Sequence, residues 1–276
     1  MTVTTEAHAP RTSKGLALPD AAAAEWLKLR SVRSTQVVLG VVLVFLLLGV
    51  LLAWQTTAIW DGLSPERRTR FAFTGPAALV SWAAALCLGV LGVLQVTSEY
   101  RTGMIRTTLA VMPRRPAILA AKAGVLAALA LAVGNAVTLA SFFTERLIVG
   151  DRPIPGHRTA VAQELPELLA RGSMVVVYAL LGLGLAALLR STAGAIVGLV
   201  LPWYMLPIFT GFLPAPWDKR VSSFMPDALP EQIVGGGNTH SVYGDLLPPV
   251  AAVAVAVAYA VLPVCAAAFV LNRRDA

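Results

Sequence analysis

Residues 37–54 read VVLGVVLVFLLLGVLLAW, eighteen positions without a charge. As a helix at 1.5 Å per residue the run measures about 27 Å, close to the hydrocarbon thickness of a bilayer. Comparable runs follow at about 74–96, 117–143, 172–189, 193–212 and 250–271. Only 13% of the 276 residues are charged, against about 25% in soluble domains. In lipid each backbone polar group needs an internal partner, so runs of this length fold as helices. The sequence therefore predicts an all-α polytopic membrane protein with six transmembrane helices.

The pieces between the runs define the rest. Residues 1–19 are polar and rich in small residues, and read as a disordered cytoplasmic tail preceding a single transmembrane domain over 20–276. They are not expected to form a secretory leader, because the first long apolar run begins only near Val37. Asp20 is positioned to cap a short helix, AAAAEWLKLRSVR, with Trp26 and Leu29 on one face and Lys28 on another. Lys28, Arg30 and Arg33 then stand before the first span, as a basic anchor or as an amphipathic elbow along the inner leaflet. Lys122, near the start of the third run, is placed to snorkel to the inner surface. Residues 144–171 and 213–247 read as external loops, the second with one or two short helices in FMPDALPEQIV before span six. Pro202 and Pro207 predict a kink or local break in span five, and Gly182 and Gly184 permit close helix packing in span four.

An even number of spans puts both termini on one side. The tail, 97–116 with Lys122, the Arg190 turn and the C-terminus hold 13 Lys and Arg against 5 Asp and Glu. The opposite loops hold 9 against 10. The positive-inside rule makes the first side cytoplasmic, in a multi-pass protein of the cell membrane. The net charge of +7 is scattered at the ends of apolar runs, which fits membrane orientation and contact with lipid and argues against nucleic acid.

The sequence carries no GxxxxGK[ST], HExxH or GxSxG motif. His8, His157 and His240 are dispersed, and Cys87 and Cys265 sit inside apolar runs as small hydrophobes. The expectation is a chain that is not an enzyme and has no catalytic, cofactor or metal site. Polar groups within the spans are few. Gln95 lies at the inner end of span two; Asn135, Thr138 and Tyr178, with Pro202, Tyr204 and Pro207, are candidates for helix packing or for lining a pathway. Trp82, Phe142, Trp203 and Phe209 add aromatic surface. No acidic residue lies deep in a span, which weakens a proton-coupled carrier or cation channel.

The remaining stretch, 98–115, is charged yet periodic. Met104, Ile105, Leu109 and Met112 share one helical face and Glu99, Thr102 and Arg106 the other, the pattern of a helix at a boundary between water and an apolar phase. Its arginines suit phosphate head groups, or the segment suits docking of a soluble subunit.

TSEYRTGMIRTTLAVMPRRPAILAAK, at 97–122, resembles the segment between the second and third spans of ABC-2 type transporter permeases, particularly actinobacterial ones. AAAAEWLKLRSVRST looks like the elbow helix of that family, and LGLGLAALLRSTAGAIV like its turn between spans four and five. The resemblance implies a cytoplasmic coupling helix between spans two and three and short external helices before span six. It further implies that Glu99, Arg101, Gly103 and Arg106 contact an ATP-binding subunit. ATP and Mg would be held by two such partner subunits, and the chain would pair with a second permease copy or a homologous permease. The implied activity is export of an amphiphilic drug, antibiotic or lipid-like molecule. The alternative is a membrane scaffold or sensor that transports nothing.

Overall fold

The computed structural model describes residues 18–69, 71, 75–103, 115–154, 160–235 and 247–273, the side chains of 18, 115, 202–204 and 272 excepted. The described residues form helices alone: α1 (Leu18–Ser31), α2 (Arg33–Gly62), α3 (Pro65–Arg68), α4 (Pro76–Thr102), α5 (Arg115–Val149), α6 (Val161–Leu189), α7 (Thr192–Thr210), α8 (Trp217–Ser222), α9 (Leu229–Val234) and α10 (Pro249–Arg273). Six of them, α2, α4, α5, α6, α7 and α10, are long and apolar enough to cross a membrane. The chain is a polytopic all-α membrane protein.

The helices outrun the apolar windows. α2 has 30 residues and α5 has 35, about 45 and 52 Å at 1.5 Å per residue against a hydrocarbon core of about 30 Å. Backbone hydrogen bonding continues past the lipid boundary on polar residues. Residues 55–62, expected in a loop, therefore belong to α2. Most of the expected loop at 144–171 is the end of α5 and the first turns of α6.

α4 and α6 form the central pair, joined by α5 and α10. Their backbones approach closely because glycines face each other: a Cβ at Gly182 would overlap the Gly89 carbonyl, and one at Gly92 would overlap the Ala179 carbonyl. Leu88, Leu91, Leu126, Tyr178 and Leu183 fill the fully buried interior around this contact. α2, α7 and α10 turn many apolar side chains outward, as lipid-facing helices do. Gly184 meets the backbone of Pro263 in α10 in the same manner.

Three local expectations are corrected. α1 begins at Leu18, so Asp20 lies inside its first turn and not at its cap. Leu29 is buried while Trp26 is exposed, so these two do not share an environment. Of the kink or break expected at Pro202 and Pro207, the break does not occur: α7 runs through both prolines, each withdrawing one N–H while the flanking bonds carry the helix.

The connector before α10 contains α8 and α9, of which only α9 falls inside FMPDALPEQIV. Gln232 on α9 holds it together. Its Nε2 donates to the carbonyls of Ser223 at 2.8 Å and Ala228 at 3.1 Å, and its Oε1 accepts from the Leu247 amide at 3.2 Å. The expected tail falls almost wholly outside the described residues.

Candidate functional site: a buried ion-pair cluster at one end of the bundle

α1 carries Glu25 and Lys28, three residues apart and therefore on one face. α4 contributes Glu99 in its last turn, and α5 contributes Lys122 two turns from its start. Lys122 Nζ donates to Glu25 Oε2 at 2.6 Å and to Glu99 Oε1 at 2.9 Å. Lys28 Nζ donates to Glu25 Oε1 at 2.8 Å and to Glu99 Oε1 at 3.2 Å. Two carboxylates and two ammoniums thus close a charge-balanced set linking three helices.

Glu25, Glu99 and Lys122 are 5%, 9% and 4% exposed. Isolated charges so buried would be prohibitive, and reciprocal pairing is what permits them. Burial pushes the Glu25 carboxyl up, but Lys122 and Lys28 outweigh it and hold the pKa below 4.5. Burial likewise pushes Lys28 down, and its contacts with Glu25 and Glu99 carry it above 10.5. Lys122 therefore does not snorkel to the surface; it is held inside by two carboxylates.

α4 stops directly after the cluster. Gly103 adopts φ +69°, the left-handed cap that glycine takes without a Cβ penalty, and its amide meets the Tyr100 carbonyl at 3.4 Å. Ser98, Glu99, Arg101 and Thr102 are thus the end of a membrane-spanning helix and not the start of a separate surface helix. Residues 104–114, with Arg106 and the rest of the periodic face, lie outside the described residues. The Arg190 guanidinium lies 5.3 Å from the Tyr100 ring, so the turn between α6 and α7 sits at this same end.

The other singled-out residues do not converge here. Asn135 Nδ2 donates to the Leu131 carbonyl at 3.0 Å within its own helix, and its side chain packs against Gly172 of α6. Thr138, wholly buried, donates to the Gly134 carbonyl at 2.8 Å. Tyr178 is buried in the central pair and shares with Trp82, Arg171 and Asp227 a small cavity of about 20 Å³. Phe142 packs in a separate cluster with Ala77 and Leu168, and Phe209 points outward. Pro207 accepts at its carbonyl from Thr210 Oγ1 at 2.8 Å; Pro202 and Tyr204 lie in α7, their side chains outside the described set.

Sequence reading singled out Glu99 but missed its association with Glu25, Lys28 and Lys122. The signal was a lysine inside an apolar run, which requires an acidic partner, and an acid–lysine pair at helical spacing in α1. Comparison with known protein-family models and with curated proteins gives no significant match.

Proposed function

We propose that the chain is the membrane-spanning subunit of an ATP-driven exporter, with ATP and Mg held by separate ATP-binding subunits. The observation that carries this reading is the ion-pair cluster. It fastens α1, the end of α4 and the start of α5 into one unit, and 104–114 is the segment that joins the last two. A soluble partner pressing on that segment would move Glu99 and Lys122, and with them α1 and the central helices, as one body. Glu99, Arg101, Gly103 and Arg106 are the coupling residues in this reading, Glu99 as a positioning residue inside the bundle and the arginines as the contact.

Two copies of the chain, or this chain and a homologous permease, would form the route, and two ATPase subunits would drive it. Both termini and the cluster face the cytoplasm in the cell membrane. The resemblance of 97–122 to ABC-2 permeases supports the partner's identity, and an amphiphilic drug, antibiotic or lipid-like molecule is the cargo in this reading.

The test is co-purification of the tagged chain with candidate P-loop ATPases, followed by substrate-stimulated ATP hydrolysis in proteoliposomes. Arg101→Ala and Arg106→Ala are expected to weaken assembly and abolish stimulation while leaving the melting temperature unchanged. Assembly and stimulation at wild-type levels in both variants would overturn the coupling role. Failure of any ATPase to co-purify would favour a scaffold or sensor.

A further inference from the structure

The end of the bundle opposite the ion-pair cluster holds another buried carboxyl group. Glu145 lies about six turns along α5 from Lys122, just past the apolar run 117–143, and is 5% exposed. Its carboxyl group rests against the start of α4: a Cβ added at Gly75 would stand 2.9 and 3.1 Å from its two oxygens. Pro76, next in the chain, has no N–H to offer there. One turn back along α5, Phe142 packs with Ala77 of α4 and Leu168 of α6. Glu145 therefore closes a junction of three helices whose adjoining contacts are apolar.

Charge at this junction is arranged differently from the balanced cluster at the other end. Among the described residues, α6 brings Glu164, Glu167 and Arg171, and Glu167 takes up Arg171 through contacts of 2.9 and 2.8 Å. Arg146, next to Glu145 on α5, stands 5.4 Å over the Phe142 ring and acts on both Glu145 and Glu164. The first three turns of α4 carry no charged residue, and Asp61 at the end of α2 is held by Arg152. Two carboxylates thus share one guanidinium. Burial, and then the Glu164 carboxylate, push the Glu145 carboxyl up to about 7 against the pull of Arg146. A carboxyl raised on packing favours the packed state in acid. That advantage is full below pH 4.5 and is lost as pH rises through about 7.

We propose that Glu145 is a proton-binding site that latches this end of the bundle. Protonated, its carboxyl group stays packed against Gly75 and holds α4 to α5 and α6. Ionised, it withdraws toward water, away from Glu164, and loosens the start of α4. The site stands apart from the coupling segment and does not depend on the exporter reading.

The experiment uses the full chain in phosphatidylcholine nanodiscs. Infrared difference spectra, titrated from about pH 4 to about pH 9, report protonated carboxyl groups. Glu145→Gln should remove one component, whose midpoint in wild type is about pH 7. Gly75→Ala keeps the carboxyl group but its methyl pushes it toward water, and Glu164→Gln keeps the burial but deletes the like charge. Each should lower the midpoint by about one pH unit, tenfold in proton affinity. Hydrogen exchange over 75–81, corrected for its intrinsic pH dependence, should be about tenfold faster at about pH 8.5 than at about pH 5.5. Glu145→Gln, which mimics the protonated form, should keep these amides protected at both. No infrared component lost in Glu145→Gln, a wild-type midpoint in the ordinary carboxylate range, a midpoint that neither Gly75→Ala nor Glu164→Gln moves, or exchange equally pH-dependent in Glu145→Gln would each overturn the proposal.

Discussion

Lys122 Nζ lies 2.6 Å from Glu25 Oε2, joining residues 97 positions apart in a setting where both are almost fully enclosed. The same nitrogen meets Glu99 at 2.9 Å. This one ammonium holds α1 against the junction of α4 and α5. Without it, Glu25 and Glu99 would face each other with Lys28 as the sole cation of the cluster.

Lys122→Met should therefore destabilise the protein by about 3–5 kcal/mol, the usual cost of leaving a buried partner uncompensated. Lys28→Met should cost less, about 1 kcal/mol or below, because the Lys28 side chain is 32% exposed and water takes part of its role. Thermal unfolding in detergent, followed by size-exclusion chromatography, checks the order. Equal losses for the two variants would contradict the cluster geometry.

Acid should loosen the same contact. The Glu25 carboxyl titrates below 4.5 in the folded protein, held down by Lys122 and Lys28 against the opposing effect of burial. Its stabilising contribution is present above pH 4.5 and is lost as pH falls through the folded value. The contribution of Lys28, whose folded pKa is raised above 10.5, is present below pH 10.5 and is lost as pH rises through the folded value. The melting temperatures of wild type and Glu25→Gln should thus differ by a constant amount between about pH 6 and 8 and converge in acid. A difference that persists unchanged to about pH 3 would remove Glu25 from the pairing.

The six spans were legible because a bilayer is a uniform apolar solvent, and runs such as 37–54 report it directly. Helix ends were less legible. α2 continues to Gly62 and α5 to Val149 because intrahelical hydrogen bonds do not require apolar side chains, so hydropathy marks the lipid boundary and not the end of the helix. Gly182 and Gly184 announced close packing, but not that Gly89 and Pro263 are what they meet. Lys122 was harder still. Hydropathy treats a lysine singly, and its meaning here depends on Glu25 and Glu99, brought to it by a path of the chain that no periodicity encodes.

The charge tally makes a prediction about sidedness. Ala160, exposed just before α6, belongs to the loop opposite α1, and that loop should be external. In a Cys87→Ala, Cys265→Ala background, Ala160→Cys should react with an impermeant maleimide in intact cells. Labelling only after permeabilisation would reverse the orientation and place the ion-pair cluster outside.

The central helix pair should tolerate no added carbon. A methyl at Gly182 would overlap the Gly89 carbonyl, and main chain cannot rotate away as a side chain can. Gly182→Ala must part α4 from α6 and loosen the packing of Tyr178 and Leu183, for a loss of about 1–3 kcal/mol or more. Gly40 provides the internal contrast: it lies within α2 and a Cβ there meets nothing within 4 Å. Gly40→Ala should stabilise by about 0.5–1 kcal/mol, since alanine loses less backbone freedom on forming a helix. Melting temperatures of the two variants should therefore move in opposite directions. If both fell alike, the loss would reflect any change inside a span, and the close backbone contact between α4 and α6 would not be its cause.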